Sequence, residues 1–543
     1  MLDDRPGETC LDALRPQVTG NDAVLDTPFG PRPLLYADYT ASGRAVDAIE
    51  RVIARLLHDY ANPHSEDSAT GRASNAWMSD AERIIKQAVN AGPDDCLLPC
   101  GSGATGAIHK LQEILGLAIA PATRRSLGLA PDARTDTVVF IGPYEHHSNE
   151  LSWRESLAET VTVPLCAQGG LDFDALERAL RDPRHAGKRK IGAFSAASNV
   201  TGVKTDVRRL ARLLHAHEAL VCLDCAASAP YEAIDMHPQG DPQARIDAVY
   251  FSPHKFVGGP GSCGVLLFNA ALYPRDLPPT QSAGGTVRYV WPGGHDFIEG
   301  IEARERAGTP GLPQFVRAAL AMQLQAEIGL DRIATREQAA LRQAFSRWCD
   351  HPGVEILGPA DPERRLGIVA FNLRDADGAV VPPRLVTMLL SDLFGIQSRA
   401  GCSCAGPYAH HLLGLEAEET RAIRQRVLDG ETGARPGWCR VSLHWLMSAE
   451  EIDYLVDAVS FLGHHARALG RHYRCEPRTG AWQHARAAAS APGFPDSLLV
   501  AADDGAPRSD DGKAAATETL RAAAFETARS LLASAPEASG VSS

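Results

Sequence analysis

At 543 residues, 44% of them hydrophobic, the chain is too long for one compact core and reads as roughly two or three folded units. Its 54 Lys and Arg against 67 Asp and Glu leave a net charge of -13, which excludes a sequence-wide basic field for nucleic acid or an anionic membrane surface. No apolar run approaches the ~20 residues of a bilayer span, and the opening MLDDRPGETC lacks the basic and apolar regions of a secretion signal, so a cytoplasmic protein is expected.

The first thirty residues show no sustained periodicity and read as an irregular arm. Val46, Ile49, Val52, Ile53, Leu56 and Leu57 then recur at helical spacing, and a second helix is expected from Asn75 to Ala91, stopped by Gly92-Pro93. From residue 137 to 268 short β-rich runs (TVVFIG, VTVPL, IGAFSAAS, ALVCLD, DAVYFS, GVLLF) are interspersed with the helical patterns DFDALERAL and VRRLARLLHAHE. Continuous apolar strands separated by amphipathic helices predict an α/β fold with a large, mostly parallel sheet covered by helices on both faces. Loops at the carboxyl ends of such strands are where chemistry is expected.

A helix over PQFVRAALAMQLQAEIGL links to a smaller α/β unit with strands near residues 367–373 and 439–443 and a helix over AEEIDYLVDAVSFL. The expected division is an arm at 1–33, a large domain at 34–310, a small C-terminal domain at 311–475 and a largely disordered tail at 476–543, with at most one helix from Thr517 to Leu532. Twelve cysteines are too dilute for a disulfide scaffold, and Cys222 and Cys225, the single CxxC pair singled out, have no second pair, so no metal site is expected.

Several segments carry groups with chemical potential. Ser252-Pro253-His254-Lys255 follows the DAVYFS strand and precedes a Gly-rich turn, a setting that suits a Schiff-base lysine or equally a surface lysine at a strand end. Asp224 closes ALVCLD, where a carboxylate either pairs with a pyridinium nitrogen or caps the next turn. In CGSGATG, residues 100–106, a Gly-rich turn opens a helix. Its N–H groups and the Thr105 hydroxyl offer a phosphate cradle, without the signature of a Walker loop or of a dinucleotide fold. The paired His146 and His147 follow TVVFIG with no metal-ligand spacing, leaving stacking on a ring or bonding to loop backbone.

Together these segments resemble the class V, fold-type I enzymes that use pyridoxal 5'-phosphate, in particular the cysteine desulfurase and selenocysteine lyase branch. The likeness runs, in family order, through SGATG (102–106), EHHSN (145–149), SNVTG (198–202), DCAASAP (224–230), FSPHK (251–255), AGTP (307–310), SRAGCSCAGP (398–407) and CRVSL (439–443).

What the resemblance implies is specific. Lys255 matches the lysine that captures the cofactor aldehyde, Asp224 the partner of the pyridine nitrogen and His146 the ring stacked on the cofactor. Thr105, with Ala104 beside it, Ser252 and His254 match phosphate-holding positions, and Asn199 an asparagine near substrate and cofactor oxygen. Arg399 and Arg440 match arginines that hold the substrate carboxylate, a task suited to a planar guanidinium fork. Thr309 matches a threonine that reaches the phosphate from the neighbouring subunit, implying a homodimer with shared active sites. Cys404 lies at the family's nucleophilic cysteine, so the resemblance implies conversion of cysteine to alanine, with a persulfide on Cys404 and a protein that accepts the sulfur.

Four positions depart from the family pattern. Ala227 replaces a glutamine that contacts the ring oxygen, Gly106 stands where glutamate is frequent, and Cys402-Ser403 replace His-His before the cysteine. The alternatives to desulfuration are amino transfer, epimerisation or C–S β-elimination without Cys404, and a catalytically silent dimeric binding protein.

Overall fold

In the computed structural model, which describes residues 8–486 and 513–533, the six apolar runs of the middle of the chain and one further strand, Asp95–Cys100, form one seven-stranded sheet. Its strands are β1 (Asp95–Cys100), β2 (Thr137–Ile141), β3 (Glu159–Thr162), β4 (Arg189–Ser195), β5 (Ala219–Asp224), β6 (Ala248–Phe251) and β7 (Gly264–Asn269). They lie in the order β1-β7-β6-β5-β4-β2-β3. Pairs β2/β3, β2/β4, β4/β5 and β5/β6 are parallel, and β7 runs antiparallel to both β6 and β1. Every residue of β2 and β6 is buried, as a sheet covered on both faces requires.

The surrounding helices follow from their apolar stripes. The segment Val207–Ala216 buries Leu210, Ala211 and Leu214 and leaves its arginines outward. The second expected helix begins earlier than its apolar pattern suggests, at Ala69, because the Ser68 side chain accepts the Gly71 N–H at 3.0 Å and caps it. Three helices matter below: α1 (Gly103–Ile114), α2 (His147–Arg154) and α3 (Leu312–Ile328). Where the sequence reads a single helix to residue 330, Gly329 at φ +90° ends α3 and α4 (Leu330–Trp348) starts anew.

The smaller unit is a four-stranded antiparallel sheet of β8 (Val354–Ile356), β9 (Ile368–Leu373), β10 (Arg399–Gly401) and β11 (Trp438–Ser442), in the order β8-β9-β11-β10. Helices α5 (Pro383–Phe394) and α6 (Ala449–Leu469) pack against it. The N-terminal segment ties the two units together: Leu35–Tyr36 pair in parallel with Ile396–Gln397, and the Ser442 N–H donates to the Ala37 carbonyl at 2.7 Å.

The arm differs from the sequence reading, and in the tail the helix allowed near Thr517 to Leu532 is present but docked on the small unit. The arm contains a helix, Glu8–Leu14, and a hairpin of Val24–Thr27 with Gly30–Pro33. The hairpin is fixed to α5 because Arg32 Nε donates to Leu393 O at 2.6 Å and Thr27 Oγ1 to Asp392 O at 2.8 Å. Within the expected mobile tail, Lys513–Ala533 form a helix, α7, that packs on α5 and α6 through Ala524, Phe525 and Ala528. Residues 487–512 and 534–543, also assigned to that tail, lie outside the described residues. Among the described residues no helix is long and apolar enough to cross a membrane, and no cluster of ligands for a metal ion is present.

Candidate active site

Parallel neighbours β4, β5 and β6 open their carboxyl ends on one edge of the sheet, where the small sheet also arrives. A cavity of about 200 Å³ lies there. Ala104, Thr105, Ser252 and His254 line one part of it. His146, Asp224, Lys255 and Asn199 also line it, and the small sheet contributes Arg399 and Arg440. Cys404 and Thr309 are not among the lining residues. Thr309 sits exposed at the surface, where Asn62 Nδ2 donates to its hydroxyl at 3.1 Å.

The Gly-rich turn is built for close approach. Gly103 adopts φ +60°, and a Cβ there would come within 2.8 Å of Ser252 Oγ and 2.9 Å of His254 Cε1. The Ala104 N–H donates to Ser252 Oγ at 2.8 Å, so the start of α1 and the turn before Lys255 form one polar concavity. Thr105 Oγ1 lies 2.7 Å from Ser148 Oγ at its mouth. Helix-terminal N–H groups with flanking hydroxyls favour a phosphate.

Lys255 ends a short 3-10 turn after β6. Burial pushes its amine down to about 8; Asp224 opposes that shift, and Arg440 and Arg399 add to it. Asp224 is buried, and its carboxylate accepts the Ala226 N–H through Oδ1 at 2.8 Å, the single hydrogen bond of that carboxylate among the described residues. Burial raises its pKa, against the pull of the Ala226 N–H and Lys255. His146 caps α2, with Nδ1 accepting the Ser148 N–H at 3.1 Å. Burial, followed by Lys255 and its other cationic neighbours, lowers the ring to about 3, which keeps it neutral.

Arg440 and Arg399 come from neighbouring strands. Arg440 donates one Nη to Asp38 Oδ1 and the other to the Asn199 carbonyl, both at 2.8 Å. Asn199 in turn donates Nδ2 to the Ser403 carbonyl at 2.7 Å, and the buried Ser403 hydroxyl, which belongs to the lining, has no partner among the described residues.

Sequence reasoning missed the layer behind these groups. Glu145 accepts Ser195 N–H at 2.9 Å and Gly142 N–H at 3.1 Å through Oε1, and Ser195 Oγ at 2.6 Å and Asn149 Nδ2 at 2.7 Å through Oε2. Asn149 Oδ1 accepts Tyr250 OH at 2.7 Å and Trp153 Nε1 at 3.1 Å. Desolvation lifts Glu145 to about 7 despite these donors. Its signal was present, as the first residue of EHHSN, but a glutamate after a strand gives no hint of burial.

The donor set suits a phosphorylated pyridine aldehyde: a polar concavity at a helix start, a half-buried amine, and a buried carboxyl with a single hydrogen bond. A parallel sheet with this edge, joined to a small antiparallel unit, is the architecture of the fold-type I enzymes. The chain belongs to the class-V aminotransferase family, whose description "Aminotransferase class-V" matches residues 35–455.

It is 28% identical over 390 residues to a probable cysteine desulfurase of Halalkalibacterium halodurans, covering 71% of this chain and 87% of that one. To a cysteine desulfurase of Klebsiella pneumoniae it is 27% identical over 450 residues, 81% and 96% of the two chains. The fold is similar to that of a cysteine desulfurase from Thermococcus onnurineus, with a TM-score of 0.66 at 22% identity, covering 85% of this chain and 99% of the other.

Proposed function

We propose that the chain is a pyridoxal 5'-phosphate-dependent cysteine desulfurase. The observation that carries this reading is the convergence of Lys255, Asp224 and His146 on one cavity that ends at two arginines, in a chain whose relatives bear that name.

Lys255 would capture the cofactor aldehyde, and its lowered pKa leaves a usable fraction of free amine near neutral pH. Asp224 would accept the ring N–H with the oxygen not occupied by Ala226. The neutral His146 would cover a face of the ring, and Ser252, His254 and the start of α1 would hold the phosphate. When bound, the cofactor supplies an electron sink for a substrate joined to it.

The chain's other groups handle the amino acid. Arg399 has no ion-pair partner among the described residues and is placed to meet a carboxylate. Lys255 Nζ, freed from the aldehyde, would move a proton at the substrate α-carbon. The Cys404 thiolate attacks the substrate sulfur: an S–S bond forms, the Cβ–S bond breaks, and the carbon keeps the electron pair and takes a proton to give alanine. The persulfide then passes to a thiol-bearing acceptor. The surface position of Thr309, outside the cavity of its own chain, supports a homodimer in which it serves the partner's site.

The test is product identity. With L-cysteine the holoenzyme should form alanine and protein-bound sulfur in equal amounts. Cys404→Ala should keep the cofactor but lose persulfide formation. Pyruvate with free sulfide, undiminished in that variant, would reject the thiol route.

A further inference from the structure

The loop that carries Cys404 is gripped on both sides by one residue outside the cavity lining. The His147 backbone N–H donates to the Cys404 carbonyl at 2.8 Å. The Gly406 N–H donates to His147 Nε2 at 2.9 Å. A ring nitrogen that accepts an N–H carries no proton, so His147 is neutral here with its hydrogen on Nδ1. Asn199 grips the preceding peptide through the Ser403 carbonyl at 2.7 Å.

The gripped backbone is strained. Ser403 and Cys404 adopt φ +52° and +56°, left-handed values that side chains disfavour, and two in succession persist only where surrounding bonds enforce them. In this arrangement Ser403 faces the cavity and Cys404 does not line it.

We propose that His147 is a positioning residue that latches the Cys404 loop in a resting conformation, and that breaking the Gly406 to His147 bond lets the loop relax and bring the thiol to the substrate. The inference rests on the reading of Cys404 as the nucleophile. Backbone strain at Ser403 and Cys404 supplies the drive for release, and the ring bond supplies the restraint. Gly406 fits the latch because a Cβ there would lie 3.1 Å from His147 Nε2 and press on the ring.

The test is iodoacetamide alkylation of Cys404 in cofactor-free protein, read by fragmentation of the peptide holding Cys402 and Cys404. His147→Leu removes the acceptor, Gly406→Ala crowds it, and His147→Gln restores a side-chain oxygen that accepts the Gly406 N–H. Cys404 should be alkylated about three-fold faster or more in the first two variants than in wild type, as local opening becomes less costly, and His147→Gln should stay near wild type. Thermal melts identify any variant that fails to fold, and the remaining one of the pair decides. Equal alkylation rates in folded His147→Leu or Gly406→Ala and in wild type would overturn the latch. That outcome is distinct from failure of the desulfurase reading, which shows instead as alanine formation in Cys404→Ala.

Discussion

Arg399 and Arg440 stand directly opposite each other on the antiparallel strands β10 and β11. Like charges at such a pair repel, so the arrangement needs compensation. Asp38, brought in by the N-terminal segment, supplies it through its ion pair with the buried Arg440. Arg440 is thereby fixed by Asp38 and Asn199, while Arg399 keeps its donors for a ligand.

Asp38→Asn should therefore destabilise the fold. Removing one partner of a largely buried ion pair costs about 3 kcal/mol, because the guanidinium stays behind in a dry site next to a second positive charge. Urea unfolding measures it. A midpoint equal to that of wild type would show that Arg440 needs no anion at this position.

Glu337 is buried, accepts the Gly367 N–H at 3.1 Å and is lifted by desolvation to about 8. Its folded pKa exceeds the unfolded value, so between about pH 5 and 8 the folded state binds the extra proton and stability falls as pH rises. The slope for one proton is about 1.4 kcal/mol per pH unit. Glu337→Gln, which keeps an acceptor for Gly367, should flatten the stability profile in that window. An unchanged profile would mean that Glu337 ionises normally.

Capture of an aldehyde by Lys255 needs the free amine, so the rate of cofactor uptake by the cofactor-free protein should rise with pH and level off above about 8. Asp224 holds the lysine pKa up, so Asp224→Asn should move the rise to lower pH. Stopped-flow absorbance reads the curve. A rise centred near the ordinary lysine value would show that Nζ is not desolvated.

Helix α7 covers an aromatic cluster, with Phe525 at 5.0 Å from Phe394, 5.7 Å from Tyr454 and 5.9 Å from Phe461 between ring centroids. Phe525→Ala should cost about 2 kcal/mol, below the range for a fully buried ring because Phe525 is only partly covered. A calorimetric melt matching wild type would show that α7 contributes nothing to the fold.

Six strands of the large sheet were legible as apolar runs, ending among others at Asp224 and shortly before Lys255, whereas the edge strand Asp95–Cys100, interrupted by Pro99, was not. The helices around it were legible from their stripes. The arm was not: its strands VLDT and GPRP are short and polar, and they form because Arg32 and Thr27 reach α5, a contact with no local signal. The helix near Thr517 to Leu532 was legible as a helix, but not its docking on α5 and α6, because only Ala524, Phe525 and Ala528 mark a packed face in an alanine-rich stretch. At the site, the lysine, carboxylate and histidine sit at strand ends and could be found by position. Glu145, Asp38 and His147 act through segments 50 to 402 residues away, and pairing of that kind appears only once the chain is folded.

The central claim is that the Lys255 amine captures pyridoxal 5'-phosphate within this cavity. Purified protein incubated with the cofactor, reduced with borohydride and digested should yield one phosphopyridoxyl peptide, modified at Lys255, and Lys255→Ala should yield none. Label spread over surface lysines, or absent from Lys255, would contradict the account.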